Sequence, residues 1–210
     1  RGAKLFELDI LSTYDNKYVA AHYWENYKEM TDYSSINDRL RRRRPLTEKE
    51  FSSRHIYKQF TPLNMERINQ WFGEHPDAIL ITDKINSPKQ FTGKGGFAFK
   101  DRLIMELFSW EAVDEALKEN IIPMPSENLI AETENIESKL KELGIVYIAV
   151  SIDYARANKE LFRRLKEQGI KTYVFLLHYK VEDDEKYVWE NMDYIYGMYA
   201  DNFDLAVSLR

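Results

Sequence analysis

The sequence contains no cysteine, few glycines and prolines, and no long apolar run. Because none of its 210 residues is cysteine, disulfide bonds are excluded, which fits the cytosol and many bacterial exteriors equally well. No apolar run approaches the roughly 18 residues that a membrane-spanning helix needs. The formal net charge of −5 gives no overall reason to expect a nucleic-acid partner. Neither a serine-nucleophile motif nor the spacing of a zinc site is present.

The chain is organised as one domain. Its length suffices for one sizeable core, its aromatic fraction of 14% argues against disorder, and no linker rich in glycine or proline divides it. Apolar runs alternate with amphipathic segments, which is typical of a parallel sheet covered by helices. We predict strands at Leu5–Leu11, Tyr18–Trp24, Ile79–Ile85, Leu103–Phe108, Ile121–Met124, Val146–Ile152, Thr172–Leu177 and Ile195–Tyr199. We predict helices at about 61–72, opened by Thr61-Pro62, and at 109–120, 132–143 and 154–168.

Two glycines support consecutive βα units. Gly144 and Gly169 each follow a predicted helix and precede a predicted strand, the position where a helix commonly ends in glycine. We therefore expect right-handed βα crossovers in an α/β domain that spans residues 1–210.

Two carboxylates lie close together on the first predicted strand. Glu7 and Asp9 are two residues apart, so the strand period of two places them on one face. Adjacent carboxylates repel each other and need a compensating positive charge, for which a hard divalent cation is the usual choice. Tyr14–Lys17 is predicted to be a turn, and Tyr18–His22 a second strand that returns beside the first and brings His22 near the carboxylates. The alternative is a surface hairpin with scattered charges.

The stretch Gly2–His22 resembles the glycerophosphodiester phosphodiesterase family. The family's pattern is a glycine, Glu-x-Asp, a turn with Thr-x-Asp, an apolar strand and a histidine. The matching residues here are Gly2, Glu7, Asp9, Thr13, Asp15 and His22. Pro45–Phe51 and Phe60–Leu63 extend the resemblance, which continues weakly to the end of the chain.

The resemblance implies a fold and an activity. The expected fold is a (β/α)8 TIM-type barrel that lacks its first βα unit here and carries an insertion at about 25–60, after the second barrel strand. The expected activity is metal-dependent hydrolysis of a glycerophosphodiester or related alcohol-phosphodiester, with Mg²⁺ or Ca²⁺ as cofactor. The resemblance makes Glu7 and Asp9 metal ligands and His22 one half of a general acid–base pair.

The third predicted strand departs from the family pattern. The family usually has Glu-x-Lys there, with the glutamate on the metal and the lysine on phosphate. This chain has Asp83 and Lys84 next to each other, so on a regular strand they would point to opposite faces. A bulge or the end of the strand could turn both inward. We expect Asp83 to be the third ligand and Lys84 to lie close to the phosphate.

Three further residues are candidates for substrate contact. Glu106 is flanked by apolar residues on a predicted strand, where the family often has an uncharged polar residue, and burying it without a partner is costly. It could be an extra ligand, a partner for Lys84 or part of a structural salt bridge. Phe175 and His178 occupy positions where the family tends to have Trp and Asn, and are expected to shape the pocket. His178 could also be a structural histidine at a strand end.

The polar segment from Glu25 to about Phe60 holds the densest charge run, Arg39–Arg44. It is either an electropositive lid over an anionic substrate or a solvated loop.

Upstream of Arg1 the family has a strand with a second histidine and an arginine, which this sequence lacks. We therefore expect further native sequence upstream, and little activity from this chain alone. Two alternatives stay open: a degenerate barrel that binds phosphorylated glycans or lipids, and a lyase that forms a cyclic phosphate. The expected partner is a small phosphodiester, with no nucleic acid and no transmembrane segment. Head group, compartment and oligomeric state are left open.

Overall fold

The structure is a computed structural model that describes residues 3–31, 36, 40, 43–176 and 181–200, with the backbone alone for 181–184. Within these residues no helix combines the length and the apolarity needed to cross a membrane. Gly2, His178 and most of the Arg39–Arg44 run, for which the sequence makes predictions, lie outside the described residues.

The described strands form two sheets in the order β2-β1-β3-β4-β5 and β6-β7-β8. All neighbours are parallel except β2, which is antiparallel to β1. The strands are β1 Leu5–Ser12, β2 Tyr18–Ala20, β3 Ile79–Asp83, β4 Leu103–Leu107, β5 Ile122–Pro125, β6 Tyr147–Ser151, β7 Lys171–Phe175 and β8 Gly197–Met198. Each predicted strand is thus confirmed, with ends that differ by a few residues.

Among the described residues, helices lie between the parallel strands and also within the insertion after β2. The helices are α1 Trp24–Met30, α2 Glu48–Ser52, α3 Met65–Glu74, α4 Pro88–Phe91, α5 Trp110–Lys118, α6 Glu127–Glu132, α7 Ile136–Glu142, α8 Ile152–Ala157, α9 Lys159–Glu167 and α10 Val181–Glu190. A 3₁₀ turn, Lys100–Arg102, precedes β4.

Three helix predictions need correction. The helix expected to begin at Thr61-Pro62 begins at Met65, because the Asn64 side chain caps it by accepting the Arg67 N–H at 3.1 Å. The helix predicted at 132–143 begins only at Ile136, after the separate helix α6 has ended at Glu132, and the helix predicted at 154–168 is divided in two. Asn135, which precedes the first of these, has a left-handed φ of 53°, and the second is divided at Asn158.

The expected barrel is confirmed only as an α/β fold with parallel strands. Among the described residues no hydrogen-bonded ladder joins β5 to β6 or β8 to β1, so a closed barrel is not shown. At the first of these junctions the Glu127 carboxylate accepts the Ser151 N–H at 2.6 Å, which ties α6 to the end of β6. At the second, Leu5 is 42% exposed and Glu7 is also exposed.

The two faces of the strands bury different sets of side chains. Outward side chains such as Leu80, Leu103 and Val150 pack with the helices in the main core. Inward side chains form a smaller cluster whose fully buried members are Ile81, Ile104, Met124 and Ala149. With a period of two, the inner face continues to Asp83 on β3, Glu106 on β4 and Phe175 on β7. Polar side chains thus enter the interior at the carboxyl ends of the strands.

Candidate active site

Three carboxylates, Glu7, Asp9 and Asp83, lie together toward the carboxyl ends of β1 and β3. The strands are parallel, with Glu7 opposite Ile81 and Asp9 opposite Asp83. Because Ile81 lies in the inner cluster, Glu7 and Asp9 face the interior. The sequence prediction that these two carboxylates share one face is confirmed, and Asp83 joins them there.

Lys84 lies between the two aspartates. Its Nζ is 3.3 Å from Asp9 Oδ1 and 3.8 Å from Asp83 Oδ2. The strand ends at Asp83, and Lys84 adopts a left-handed conformation with φ of 70°, while its N–H donates to Asp83 Oδ1. The end of the strand, rather than a bulge, therefore turns both side chains inward. For a residue with a Cβ this conformation costs about 1–2 kcal/mol, a strain that collects at functional sites.

Charge within this group is not balanced. Burial raises the pKa of Asp83, and the neighbouring Asp9 raises it further against the opposing effect of Lys84. Burial alone would lower the pKa of Lys84, but Asp9 and Asp83 raise it above its usual value. Lys84 therefore stays protonated, and its single ammonium group is the counter-charge for several carboxyl groups.

Glu106 adds a fourth carboxyl group. It is 7% exposed, and burial, followed by Asp83 and Glu7, raises its pKa to about 8. The described residues give it no salt bridge, although Lys84 lowers its pKa from a distance. The salt-bridge reading thus has no support here, and Glu106 is largely protonated at neutral pH.

Tyr199 also belongs to this site, and the sequence analysis missed it. Its hydroxyl donates to Met124 Sδ at 3.4 Å, on the inner face of the strands. Burial raises its pKa well above the usual value, with further contributions from Glu106 and Glu7. Only the register of β8 against β7 reveals this position, since the sequence around Tyr199 resembles any short strand.

His22 lies at the rim of the site. The hairpin predicted by the sequence is confirmed, and the Ala21 N–H donates to the Asp9 carbonyl at 3.0 Å. The exposed His22 ring packs edge-on against Tyr23, with centroids 4.0 Å apart, and Lys84 Nζ lies 4.6 Å from the Tyr23 ring centre. Tyr23 therefore connects the imidazole to the Lys84 cluster, although His22 touches none of the carboxylates.

Phe175 ends β7 on the inner face, two residues after Tyr173 of the inner cluster. The structure thus places it at the same edge as Asp9 and Asp83. His178, which is also expected to shape the pocket, lies outside the described residues.

The insertion packs beside this edge around its own small core of Val19, Trp24, Tyr27, Leu46 and Phe51. Of the arginine run, Arg43 lies 3.6 Å from Glu25, and the Arg44 carbonyl accepts from buried Lys28 at 2.8 Å. These contacts hold Arg43 and the Arg44 backbone in place. The role expected for the other arginines of the run stays a prediction.

The donor atoms of this site suit a divalent cation, but the distances between them in this structure do not. Among the described residues no three acidic, histidine or cysteine side chains lie close enough together to hold a metal ion. Lys84 instead acts as counter-ion between Asp9 and Asp83. Burial raises the pKa values of Asp83 and Glu106, and neighbouring carboxylates raise them further. Carboxylate oxygens are the donors that Mg²⁺ and Ca²⁺ prefer.

No family model matches the sequence, and no curated protein matches it significantly. Solved structures do match its fold. The chain has the fold of glycerophosphodiester phosphodiesterases. One from Thermotoga maritima has a TM-score of 0.65 at 18% identity, covering 97% of this chain and 84% of its own. One from Parabacteroides distasonis gives 0.65 at 15% identity, covering 95% and 80%.

A third similar structure carries a ligand. It is a phosphodiesterase of Oleispira antarctica in complex with its product, sn-glycerol-3-phosphate, with a TM-score of 0.66 and 14% identity, covering 95% of this chain and 82% of its own. The likeness in fold supports the resemblance seen in Gly2–His22.

Proposed function

We propose that this protein hydrolyses a glycerophosphodiester or a related alcohol-phosphodiester. The observation that carries the proposal is the meeting of Asp9, Asp83 and Lys84 at one strand edge, beneath the hairpin that holds His22. Phosphodiester hydrolysis needs charge stabilisation at the phosphate and a proton for the departing alcohol. Lys84 supplies the first and His22 the second. The binding-only and lyase alternatives gain no support from the similar structures.

The chain's own residues divide the reaction as follows. The Lys84 ammonium binds a non-bridging phosphate oxygen and stabilises the negative charge that grows there. Water attacks phosphorus, the P–O bond to the alcohol breaks, and His22 transfers a proton to the leaving oxygen or from the attacking water. The products are a phosphomonoester and an alcohol. Phe175 and Glu106 line the pocket, where protonated Glu106 can donate a hydrogen bond to substrate.

We also propose a divalent ion, Mg²⁺ or Ca²⁺, held by Glu7, Asp9 and Asp83. When bound, it would polarise a phosphate oxygen. Lys84 would move from between the aspartates toward the phosphate. Calorimetric titration should therefore show binding of Mg²⁺ or Ca²⁺ that the double variant Glu7→Gln/Asp9→Asn loses.

The matched control for the titration is Glu74→Gln/Asp77→Asn, which removes two exposed acids between the end of α3 and the start of β3, away from the carboxyl ends of the strands. If Glu7→Gln/Asp9→Asn binds the ion as well as the control does, the proposed metal site is wrong.

We propose that the barrel closes through a further strand between β8 and β1. The exposure of Leu5 and Glu7 on an inward face supports this. Because that strand would also bring the second acid–base group, protein in which this edge stays open should turn over poorly.

Substitution of His22 tests the function directly. In protein that turns over the substrate, His22→Ala should lower kcat for a glycerophosphodiester by about 10²–10⁴-fold, the usual contribution of a general acid or base. The control is His75→Ala, whose ring stacks on Trp71 just after α3, before β3 begins. Turnover that His22→Ala leaves unchanged would locate the chemistry elsewhere.

A further inference from the structure

Three large apolar side chains are exposed within one turn of the insertion. Tyr57, Phe60 and Leu63 are 67%, 57% and 40% exposed. The turn is well defined, because Ile56 and Phe60 exchange two backbone hydrogen bonds of 2.9 Å. Tyr57 and Lys58 both have positive φ, 50° and 60°, so the backbone is held in a tight turn that presents these side chains. Clustered apolar exposure of this kind marks interaction surfaces.

This turn is attached to the candidate site. The Leu63 carbonyl accepts the Ala20 N–H at 2.9 Å, and the next residue, Ala21, donates to the Asp9 carbonyl. On its other side, the Tyr57 N–H donates to the Met30 carbonyl at 2.7 Å, at the end of α1. Whatever binds the turn is therefore held beside the hairpin that carries His22.

The charge of this region differs in sign from that of the rest of the chain. Residues 14–63 contain ten Lys or Arg against seven Asp or Glu, a net charge of +3 in a chain whose total is −5. The rest of the chain thus has a net charge of −8 and is repelled by an anionic surface, whereas residues 14–63 are attracted to one. Among described residues, Lys58 is exposed on the turn itself, and Arg44 lies over exposed Tyr14 with its guanidinium 4.9 Å from the ring centre.

We propose that the turn Tyr57–Leu63, together with Lys58, Arg43 and Arg44, docks on a bilayer that contains anionic lipid. Apolar and tyrosine side chains insert at the headgroup level, and basic residues add attraction to anionic lipids. A second copy fits less well, because a twofold contact would bring the same positive surfaces together. If the proposed hydrolysis holds, the substrate is the head-group diester of a membrane glycerophospholipid.

Vesicle co-sedimentation of the chain tests this without any turnover. The protein should bind phosphatidylcholine vesicles that contain phosphatidylglycerol, bind pure phosphatidylcholine weakly, and lose affinity with added salt. The triple variant Tyr57→Ser/Phe60→Ser/Leu63→Ser should bind at least about tenfold more weakly. The control is Trp189→Ser on α10, which removes an aromatic side chain that is 62% exposed outside the insertion and should leave binding unchanged.

Three results would overturn the proposal: no vesicle binding by the parent chain, equal binding by the triple variant with a native circular dichroism spectrum, or equal loss in Trp189→Ser. A dimer in solution that the triple variant abolishes, without vesicle binding, would make the turn an interface between copies. Because vesicle binding needs no chemistry, absence of hydrolysis would refute the proposed function while leaving this readout intact.

Discussion

At the residue scale, the candidate site was only partly predictable. Glu7 and Asp9 follow from the strand period alone, and their shared inward face is confirmed. Whether a bulge or the strand end turns both Asp83 and Lys84 inward could not be decided from the sequence, because the answer depends on a left-handed lysine where no glycine signals that conformation. Tyr199 could not be found either, because its approach to Glu106 depends on strands far apart in sequence. Sequence spacing predicts neighbours on one strand well and neighbours across the interior poorly.

Glu106 makes the stability of the protein depend on pH. Its pKa rises from an ordinary 4.5 to about 8 on folding, so the folded state binds the proton more tightly than the unfolded chain. Its contribution is therefore complete below about pH 4.5 and is lost as the pH rises toward 8. Glutamine cannot ionise, so Glu106→Gln should be more stable than the parent at high pH, by an amount on the order of 4 kcal/mol.

Urea unfolding with a chelator present, at pH 5 and at pH 8.5, measures this difference. The free energy of unfolding of Glu106→Gln should exceed that of the parent mainly at the higher pH. Glu132→Gln, at an exposed position on α6, is the control and should follow the parent. Parallel pH curves for Glu106→Gln and the parent would show that Glu106 ionises normally.

At the element scale, strands were predicted well and helix ends less well. Apolar runs between polar segments are a local signal, and every predicted strand has a counterpart. The late start of α7 after Asn135 and the helix break at Asn158 were missed because the helical period continues through both positions. The start of α3 was misplaced because Thr61-Pro62 mimics a helix start three residues before the true cap, Asn64. Capping depends on backbone geometry that residue types only suggest.

Two parallel strands each carry a buried threonine on the face that packs against the helices. Thr82 of β3 and Thr172 of β7 are 0% and 1% exposed, and their hydroxyls find no hydrogen-bond partner among the described residues. A buried unpaired hydroxyl is costly, and valine has nearly the same shape. Thr82→Val and Thr172→Val should therefore each raise the free energy of unfolding by about 1 kcal/mol, measured by urea denaturation.

The control for these variants is Thr13, a buried threonine whose hydroxyl is paired. It accepts the Lys17 N–H at 2.8 Å within the β1–β2 turn. Thr13→Val should lower the free energy of unfolding by about 1 kcal/mol. If Thr82→Val proves as destabilising as Thr13→Val, the Thr82 hydroxyl has a partner and the argument fails.

At the scale of the whole molecule, local sequence signals predict the individual strands and helices better than they predict whether the strands close into a barrel. Repeated helix–glycine–strand units indicate a parallel α/β fold, and the fold matches that of the similar phosphodiesterases. Whether the strands close into a barrel depends on the edges of β1, β5, β6 and β8, which are far apart in sequence. The contrast between a positive insertion and a negative body is readable from composition, but its place beside the site is not.

A crystal structure of the protein with sn-glycerol 3-phosphate and Mg²⁺ tests the central claim most directly. Our account predicts that the phosphate lies at the carboxyl edge of β1 and β3, within about 3 Å of Lys84 Nζ and beside the His22 ring. Crystals of Lys84→Ala soaked in the same way should lack the phosphate. A phosphate bound elsewhere, with Lys84 still paired to Asp9, would contradict the account.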